Sequence, residues 1–257
     1  MEDELLRVAD EAARTAAAVL VERFGGPRVE VRAKSTPTDL VSEADLAAER
    51  VLREALAVRR PDDAVLGEEG GDRGGGATGL RWVVDPLDGT VNFLFGIPHW
   101  CVSVACEDPE GTLVGVVHDP LRDETFAATR SGPATLDGVP VRASERDDLA
   151  TAMVATGFSY DADVRARQAE VTARVLPRVR DLRRLGSAAL DLAWTACGRF
   201  DAYYERGLKP WDRAAGALLC RRAGLELREI APADGLPDGL LAAPAALAAP
   251  LGELVGA

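Results

Sequence analysis

The spacing of apolar residues changes twice along this chain, and those changes restrict it to a layered mixture of helices and sheets. From about Asp3 to Phe24 the residues Leu6, Ala9, Ala13, Ala16, Leu20 and Phe24 recur at helical spacing, which predicts a helix stopped by Gly25-Gly26-Pro27. A second helix is expected from about Ser42, with Ala48, Val51, Leu52, Ala55 and Leu56 on its apolar stripe and Pro61 ending it. The period then shortens to that of strands, in runs at Ala64–Leu66, Leu80–Val84, Trp100–Ala105, Leu113–Val117 and Glu124–Ala128. Gly, Pro and Asp turns separate these runs in the manner of an antiparallel sheet. Beyond Ser144 strands and helices alternate. A strand at Ala152–Ala155, helices at Asp163–Leu176 and Ser187–Cys197, a strand at Ala202–Tyr204, a helix at Asp212–Ala223 and a strand at Leu225–Ile230 are expected. The glycine-rich stretch Gly70–Gly79 reads as a mobile loop, and Leu240–Ala257 as a last strand and a poor helix interrupted by Pro250. The expected fold class is α/β (α+β), a layered sandwich. Residues 1–145 form an N-terminal half of helices on an antiparallel sheet, residues 146–257 form a C-terminal α/β half, and the active site lies between them.

Charge narrows the function. The 42 acidic residues outnumber the 30 basic ones, for a formal charge of -12, and the basic residues cluster no further than Arg183-Arg184 or Arg221-Arg222. Such a surface repels nucleic acid and anionic membranes. It can handle a phosphorylated substrate only where cations or aligned amides reverse the local field. Cys101, Cys106, Cys197 and Cys220 form no CxxC pair and sit in apolar stretches, as reduced core thiols do. No run approaches the roughly 20 apolar residues of a membrane span, and Met1-Glu2-Asp3-Glu4 is too acidic for a signal peptide. A cytoplasmic protein is expected.

The chemistry resides in carboxylates. In Trp82-Val83-Val84-Asp85-Pro86-Leu87-Asp88-Gly89-Thr90 an apolar strand ends at Asp85, Pro86 forces a turn, and Asp88 returns three residues later. Two carboxylates and the Leu87 carbonyl then converge as half of a magnesium site. Gly89 permits close approach of the backbone to a ligand, and the Gly89 and Thr90 amides head a short helical turn suited to phosphate. Taken alone, the same string is also an ordinary turn. Glu68 and Glu69 follow an apolar run, so only one of them faces a neighbouring site. Asp45 follows Ser42 at capping-box spacing, and Asp212 can serve as a helix N-cap. Each has a structural explanation, yet all five acidic positions fall at strand ends or helix starts, where a site can be assembled on a rigid scaffold. With only His99 and His118 there is little support for zinc or a Ser-His-Asp nucleophile, and hard oxygen donors favour magnesium or manganese.

Gly67–Glu69, Asp85–Thr90 continuing into Asn92-Phe93, and Trp211–Gly216 together resemble the inositol monophosphatase family, over a span from Lys34 to Gly216. Gly186-Ser187-Ala188-Ala189 and Asp201–Glu205 resemble its substrate-binding segments. The resemblance implies an αβαβα sandwich and a magnesium-dependent phosphomonoesterase acting on inositol 1-phosphate or a similar small polyol phosphate, with two to three ions per site and manganese as a possible substitute. It implies that Glu68, Asp85 and the Leu87 carbonyl hold the first ion, and that Asp85, Asp88 and Asp212 hold the second, with a weaker third near Glu68. Thr90, paired with Asp45, would activate water, and the Gly89 and Thr90 amides would bind phosphate. Asp88, Glu205 and the segment Gly186, Ser187 and Ala188 would receive the polyol hydroxyls. Homodimers are common among such proteins. Ser42 and Leu225 depart from the family pattern in ways that look tolerable, and lithium sensitivity is an expectation only.

The same metal site also suits fructose 1,6-bisphosphate, histidinol phosphate, a nucleotide 3'-phosphate or NADP, because it sees only the phosphate and its ester oxygen. Two other classes compete: a non-catalytic regulator binding RNA or the transcription machinery, disfavoured by the charge, and a chain in which the carboxylates serve folding alone.

Overall fold

A computed structural model describes residues 1–25, 31–33, 40–73 and 76–257, the side chains of 31–33, 40–42, 72 and 73 excepted. The chain begins with α1 (Glu2–Val21), the paired strands β1 (Val31–Ala33) and β2 (Leu40–Ser42), and α2 (Glu43–Arg59). Next come β3 (Ala64–Gly67), β4 (Gly71–Arg73), β5 (Arg81–Asp88), the single turn α3 (Thr90–Leu94), β6 (Cys101–Asp108), β7 (Gly111–Asp119), β8 (Glu124–Thr129), β9 (Thr135–Leu136) and β10 (Val139–Pro140). The second half holds β11 (Met153–Thr156), α4 (Ala162–Val175), β12 (Asp181–Arg183), α5 (Ala188–Ala196), β13 (Ala202–Arg206), α6 (Pro210–Arg222), β14 (Glu226–Ile230), β15 (Gly239–Ala243) and α7 (Ala245–Val255).

Strands 3 to 10 make one sheet, in the order β10-β9-β8-β7-β6-β5-β3-β4, and strands 11 to 15 a second, in the order β12-β11-β13-β15-β14. Period-2 alternation shows how these pack. On β6, Val102, Val104 and Cys106 point into a core shared with α1 and α2, whereas Cys101 and Ala105 point into one shared with α5 and α6. On β15, Leu240 and Ala242 face that same central core while Leu241 and Ala243 face a third core with α4 and α7. Both sheets are covered on both faces, which gives the αβαβα layering that the family resemblance implies. Close approach of the layers relies on small residues: a Cβ on Gly115 of β7 would lie 2.8 Å from the Ala215 Cα of α6.

Several expectations need correction. The first sheet is mixed, because β3 runs parallel to β5 across a connection that leaves room for β4. Part of the presumed loop Gly70–Gly79 is therefore strand, with Gly71–Arg73 paired to Val65–Gly67. Phe24 lies beyond the end of α1, yet it packs on Phe93 and Trp100 with ring centroids 5.5 and 5.4 Å away. Pro250 does not interrupt the last helix. Its neighbours Leu247, Ala248, Leu251 and Val255 are buried, and that burial outweighs one missing amide hydrogen bond. The Gly26-Pro27 stop, the Lys34–Asp39 stretch and the Ser42 cap fall outside the described residues or side chains.

Candidate active site

The site is built around the C-terminal end of β5. Asp85 pairs with Ser103 and Asp88 with Cys101, so one extra residue is inserted on β5 between the two pairs and the strand bulges. Pro86, which has no amide to donate, sits in that bulge. Asp85 Oδ1 accepts the Leu87 amide at 3.0 Å, closing the turn that brings Asp88 round to the same side. Gly89 follows with φ 101°, and a Cβ there would stand 3.0 Å from both the His99 carbonyl and the Trp100 Cβ. Only glycine satisfies both constraints. The Thr90 hydroxyl then lies within hydrogen-bond reach of Asp45 Oδ1 (2.9 Å) and the Leu87 carbonyl (3.1 Å). Asp45, on the first turn of α2, is fully buried.

The opposite wall comes from the second half. Asp88 Oδ2 accepts the Ser187 hydroxyl and the Ala189 amide, both at 2.7 Å, which ties β5 to the start of α5. The positive end of that helix suits a carboxylate. Asp212 occupies the first turn of α6 and is not its N-cap: Lys209 caps the helix, and Asp212 Oδ2 reaches back to accept the Lys209 amide at 2.6 Å. Glu205, on β13, accepts the Tyr203 hydroxyl at 2.8 Å. Gly157 makes its presence possible, since any Cβ at that position would overlap the Glu205 carboxylate.

A cleft of about 970 Å³ runs between these walls, lined by Glu68, Asp85, Leu87, Asp88, Gly89, Thr90, Gly186, Ser187, Ala188, Glu205 and Asp212. Its electrostatics are costly without a cation. Burial, then the charges of Glu68, Asp88 and Asp212, push the Asp85 carboxyl well above the usual carboxylate range. Burial and Asp88 do the same to Asp212. Asp88 is raised less, because burial is offset by its bonds to Ser187 and Ala189. Burial lifts Glu205 to about 8, with Asp191 and Asp88 adding to the effect against the Tyr203 hydrogen bond. Among the described residues no three Asp, Glu, His or Cys side chains stand as finished ligands around one point. Asp85, Asp88 and Asp212 each commit one oxygen to a local N–H or O–H donor, which leaves the second oxygen of each for a cation. The donor set itself, carboxylates and one carbonyl on a strained negative wall, fits a hard divalent cation.

The family model described as the inositol monophosphatase family matches residues 1–254. The chain belongs to the inositol monophosphatase family. Within that family it is 44% identical over 249 residues to the inositol-1-monophosphatase SuhB of Mycobacterium tuberculosis, covering 87% of this chain and 84% of that one. It is 42% identical over 225 residues to a Xylella fastidiosa protein named Nus factor SuhB, covering 87% and 81%. Among solved structures, the extragenic suppressor protein suhB of Bartonella henselae superposes with a TM-score of 0.91 at 34% identity, covering 98% of each chain.

Every site residue named from the sequence except Asp45 lines the one cleft, and Asp45 stands directly behind Thr90. Sequence reasoning overlooked Gly157, whose part depends on a Glu205 carboxylate 48 residues away in the chain. It also overlooked Arg184 and Lys209, basic residues on the cleft lining. The available signal was their position beside the motifs Gly186–Ala189 and Trp211–Gly216. Glu49 was missed as well: it is a buried charge on a helix otherwise read for its apolar stripe.

Proposed function

We propose that this member of the inositol monophosphatase family is a magnesium-dependent phosphomonoesterase that releases phosphate from inositol 1-phosphate or a similar small polyol phosphate. The observation that carries the reading is the joint placement of Glu68, Asp85, the Leu87 carbonyl, Asp88 and Asp212 on one cleft, with the Thr90–Asp45 pair at its floor. In the proposal Glu68, Asp85 and Leu87 hold one ion, Asp85, Asp88 and Asp212 a second, and a weaker third lies near Glu68. When bound, magnesium or its substitute manganese supplies the positive charge that attracts phosphate, makes attacking water more acidic and stabilises the departing alkoxide. The chain's own residues do the rest. Asp45 accepts the Thr90 proton, which leaves the Thr90 oxygen free to accept one from the attacking water. The Gly89 and Thr90 amides hold the phosphate, and Asp88, Glu205 and Gly186–Ala188 receive the polyol hydroxyls. Thr90 orients water and forms no phosphate ester. Residues 1–145 and 146–257 each supply one wall, so the two halves work as a single catalytic unit.

Fructose 1,6-bisphosphate, histidinol phosphate, NADP and nucleotide 3'-phosphates fit the same metal chemistry. Side-by-side kcat/KM values with magnesium decide between them, and a clear preference for histidinol phosphate overturns the inositol reading. Relatives named Nus factor SuhB support a second, regulatory reading, in which the chain binds a partner of the transcription machinery. Its net charge of -12 makes direct RNA binding the weaker part of that reading. A salt-dependent RNA mobility shift from a protein without phosphatase activity would reverse the ranking. Four free cysteines support a reducing, cytoplasmic setting, and no described helix is long and apolar enough to cross a membrane. A homodimer is the proposed assembly.

A further inference from the structure

The helix that brings Asp45 to Thr90 also grips the turn that carries Glu68. Positions 45, 49 and 53 are four residues apart on α2 and form one stripe along it. Glu49 is 3% exposed, a burial that a carboxylate tolerates only when its oxygens are paired. Its Oε2 accepts the Glu69 amide at 2.7 Å, and its Oε1 accepts the Gly70 amide at 2.8 Å and the Arg53 Nε at 2.7 Å. The Arg53 fork continues outward, donating to the Gly71 carbonyl at 2.9 Å and the Val65 carbonyl at 3.3 Å. Two side chains therefore take up backbone groups on both sides of Glu68. The turn closes over them because two of its residues lack side chains. A Cβ on Gly67 would stand 2.6 Å from both Arg53 Nη2 and Glu49 Oε1, and one on Gly70 would stand 2.6 Å from Glu49 Oε1.

The geometry points to Glu49 and Arg53 as positioning residues that lock the Gly67–Gly71 turn and thereby fix how the Glu68 carboxylate enters the cleft. Resting on the magnesium reading above, the inference adds that this clamp sets the affinity of the site for its cation. Glu68 sits in the short turn that joins β3 to the edge strand β4, outside the paired residues of either strand. A ligand on a loosely held turn must be ordered when the ion binds, and that ordering lowers affinity. Residues that hold ligands in place typically contribute 10–100-fold to metal affinity. An ordinary structural ion pair would stabilise the fold and leave cation affinity untouched.

Glu49→Gln keeps the shape of the side chain and one acceptor oxygen, but turns an amide N–H donor toward one of the two backbone amides. Hydrogen exchange on the magnesium-free protein reads the clamp directly. In wild type the Glu69 and Gly70 amides exchange slowly, and in E49Q exchange across 66–72 accelerates about tenfold or more while the α1 and β6 amides are unchanged. Calorimetric titration with magnesium alone then shows affinity weakened about tenfold, with the thermal midpoint held within a few degrees. Should E49Q not fold, the double variant E49Q/R53M, which also removes the buried cation, replaces it in both measurements with the same expectations. Fast wild-type exchange at Glu69 and Gly70, or unaltered magnesium affinity in a variant whose turn has loosened, overturns the inference. Wild-type protein that takes up no magnesium refutes the metal reading instead, and the exchange measurement still judges the clamp.

Discussion

Replacing Asp88 by Asn separates a catalytic carboxylate from one that merely staples the fold. The Asp88 oxygen that accepts the Ser187 hydroxyl and the Ala189 amide can be kept as the Asn carbonyl oxygen, with the NH2 group turned to the cleft. Exchanging two charge-assisted hydrogen bonds for neutral ones costs about 1 kcal/mol each. Against this, the carboxylate is disfavoured by burial and by the Glu68 charge, and a neutral amide removes that penalty. The two contributions have opposite sign, so the net change in stability without metal is expected within about 2 kcal/mol. For a chain of this size that is a shift in thermal midpoint of several degrees at most. Function responds differently. Losing a ligand shared between ion and substrate is expected to lower kcat by about a thousandfold or more and to abolish the stabilisation that magnesium gives to wild type. Scanning calorimetry with and without magnesium, beside a phosphate-release assay, measures both. A D88N protein that fails to fold, or that retains turnover within tenfold of wild type, refutes the reasoning.

Three further outcomes follow from the same geometry. Glu205 sits at about 8 in the folded protein against an ordinary value of 4.5, so the folded state holds a proton that the unfolded chain has released. Stability contributed by protonated Glu205 is therefore lost as pH rises from about 4.5 to 8, and Glu205→Gln should flatten this slope and leave the variant more stable by a few kcal/mol at pH 8.5, on the order of the linkage effect. Denaturant titrations across that range check it, and identical slopes for the two proteins would refute the burial argument. Gly157→Ala places a methyl where the Glu205 carboxylate lies, and is expected to raise KM about tenfold or more with magnesium affinity unchanged. An unchanged KM would show that Glu205 does not meet substrate. Thr90→Val removes the hydroxyl bonded to Asp45 and should lower kcat by about 100-fold to 10,000-fold while sparing magnesium binding. Retained turnover, or a phosphothreonine trapped in wild type, would exclude the proposed role.

Most of the layering was legible because it rests on periodicity. Each long helix and each strand of five or more residues announces itself through apolar spacing, and burial on both faces explains why β5, β6 and β7 read as nearly continuous apolar runs. What escaped detection was short or stabilised from a distance. Gly71–Arg73 carries no strand pattern and is drawn into the sheet by β3 on one edge and by the Arg53 contact to the Gly71 carbonyl. The parallel pairing of β3 with β5 is likewise invisible, since local sequence does not encode strand direction. Within the site, the D-P-L-D-G-T string identified its own turn because Pro86 and Gly89 allow few conformations. Asp212 is the third residue of its helix and not the N-cap a capping argument makes it: Lys209 caps the helix and Pro210 begins it. Nothing in the sequence sets Glu49 apart from a solvated helix charge. Only the fold shows that the turn after β3 folds back over it.

Anomalous scattering from crystals grown with manganese tests the central claim directly. The account predicts at least two peaks in the cleft, one among Glu68, Asp85 and the Leu87 carbonyl and another among Asp85, Asp88 and Asp212, each about 2.0–2.3 Å from its oxygens. Manganese found only on the acidic exterior, with no peak among these carboxylates, would contradict it.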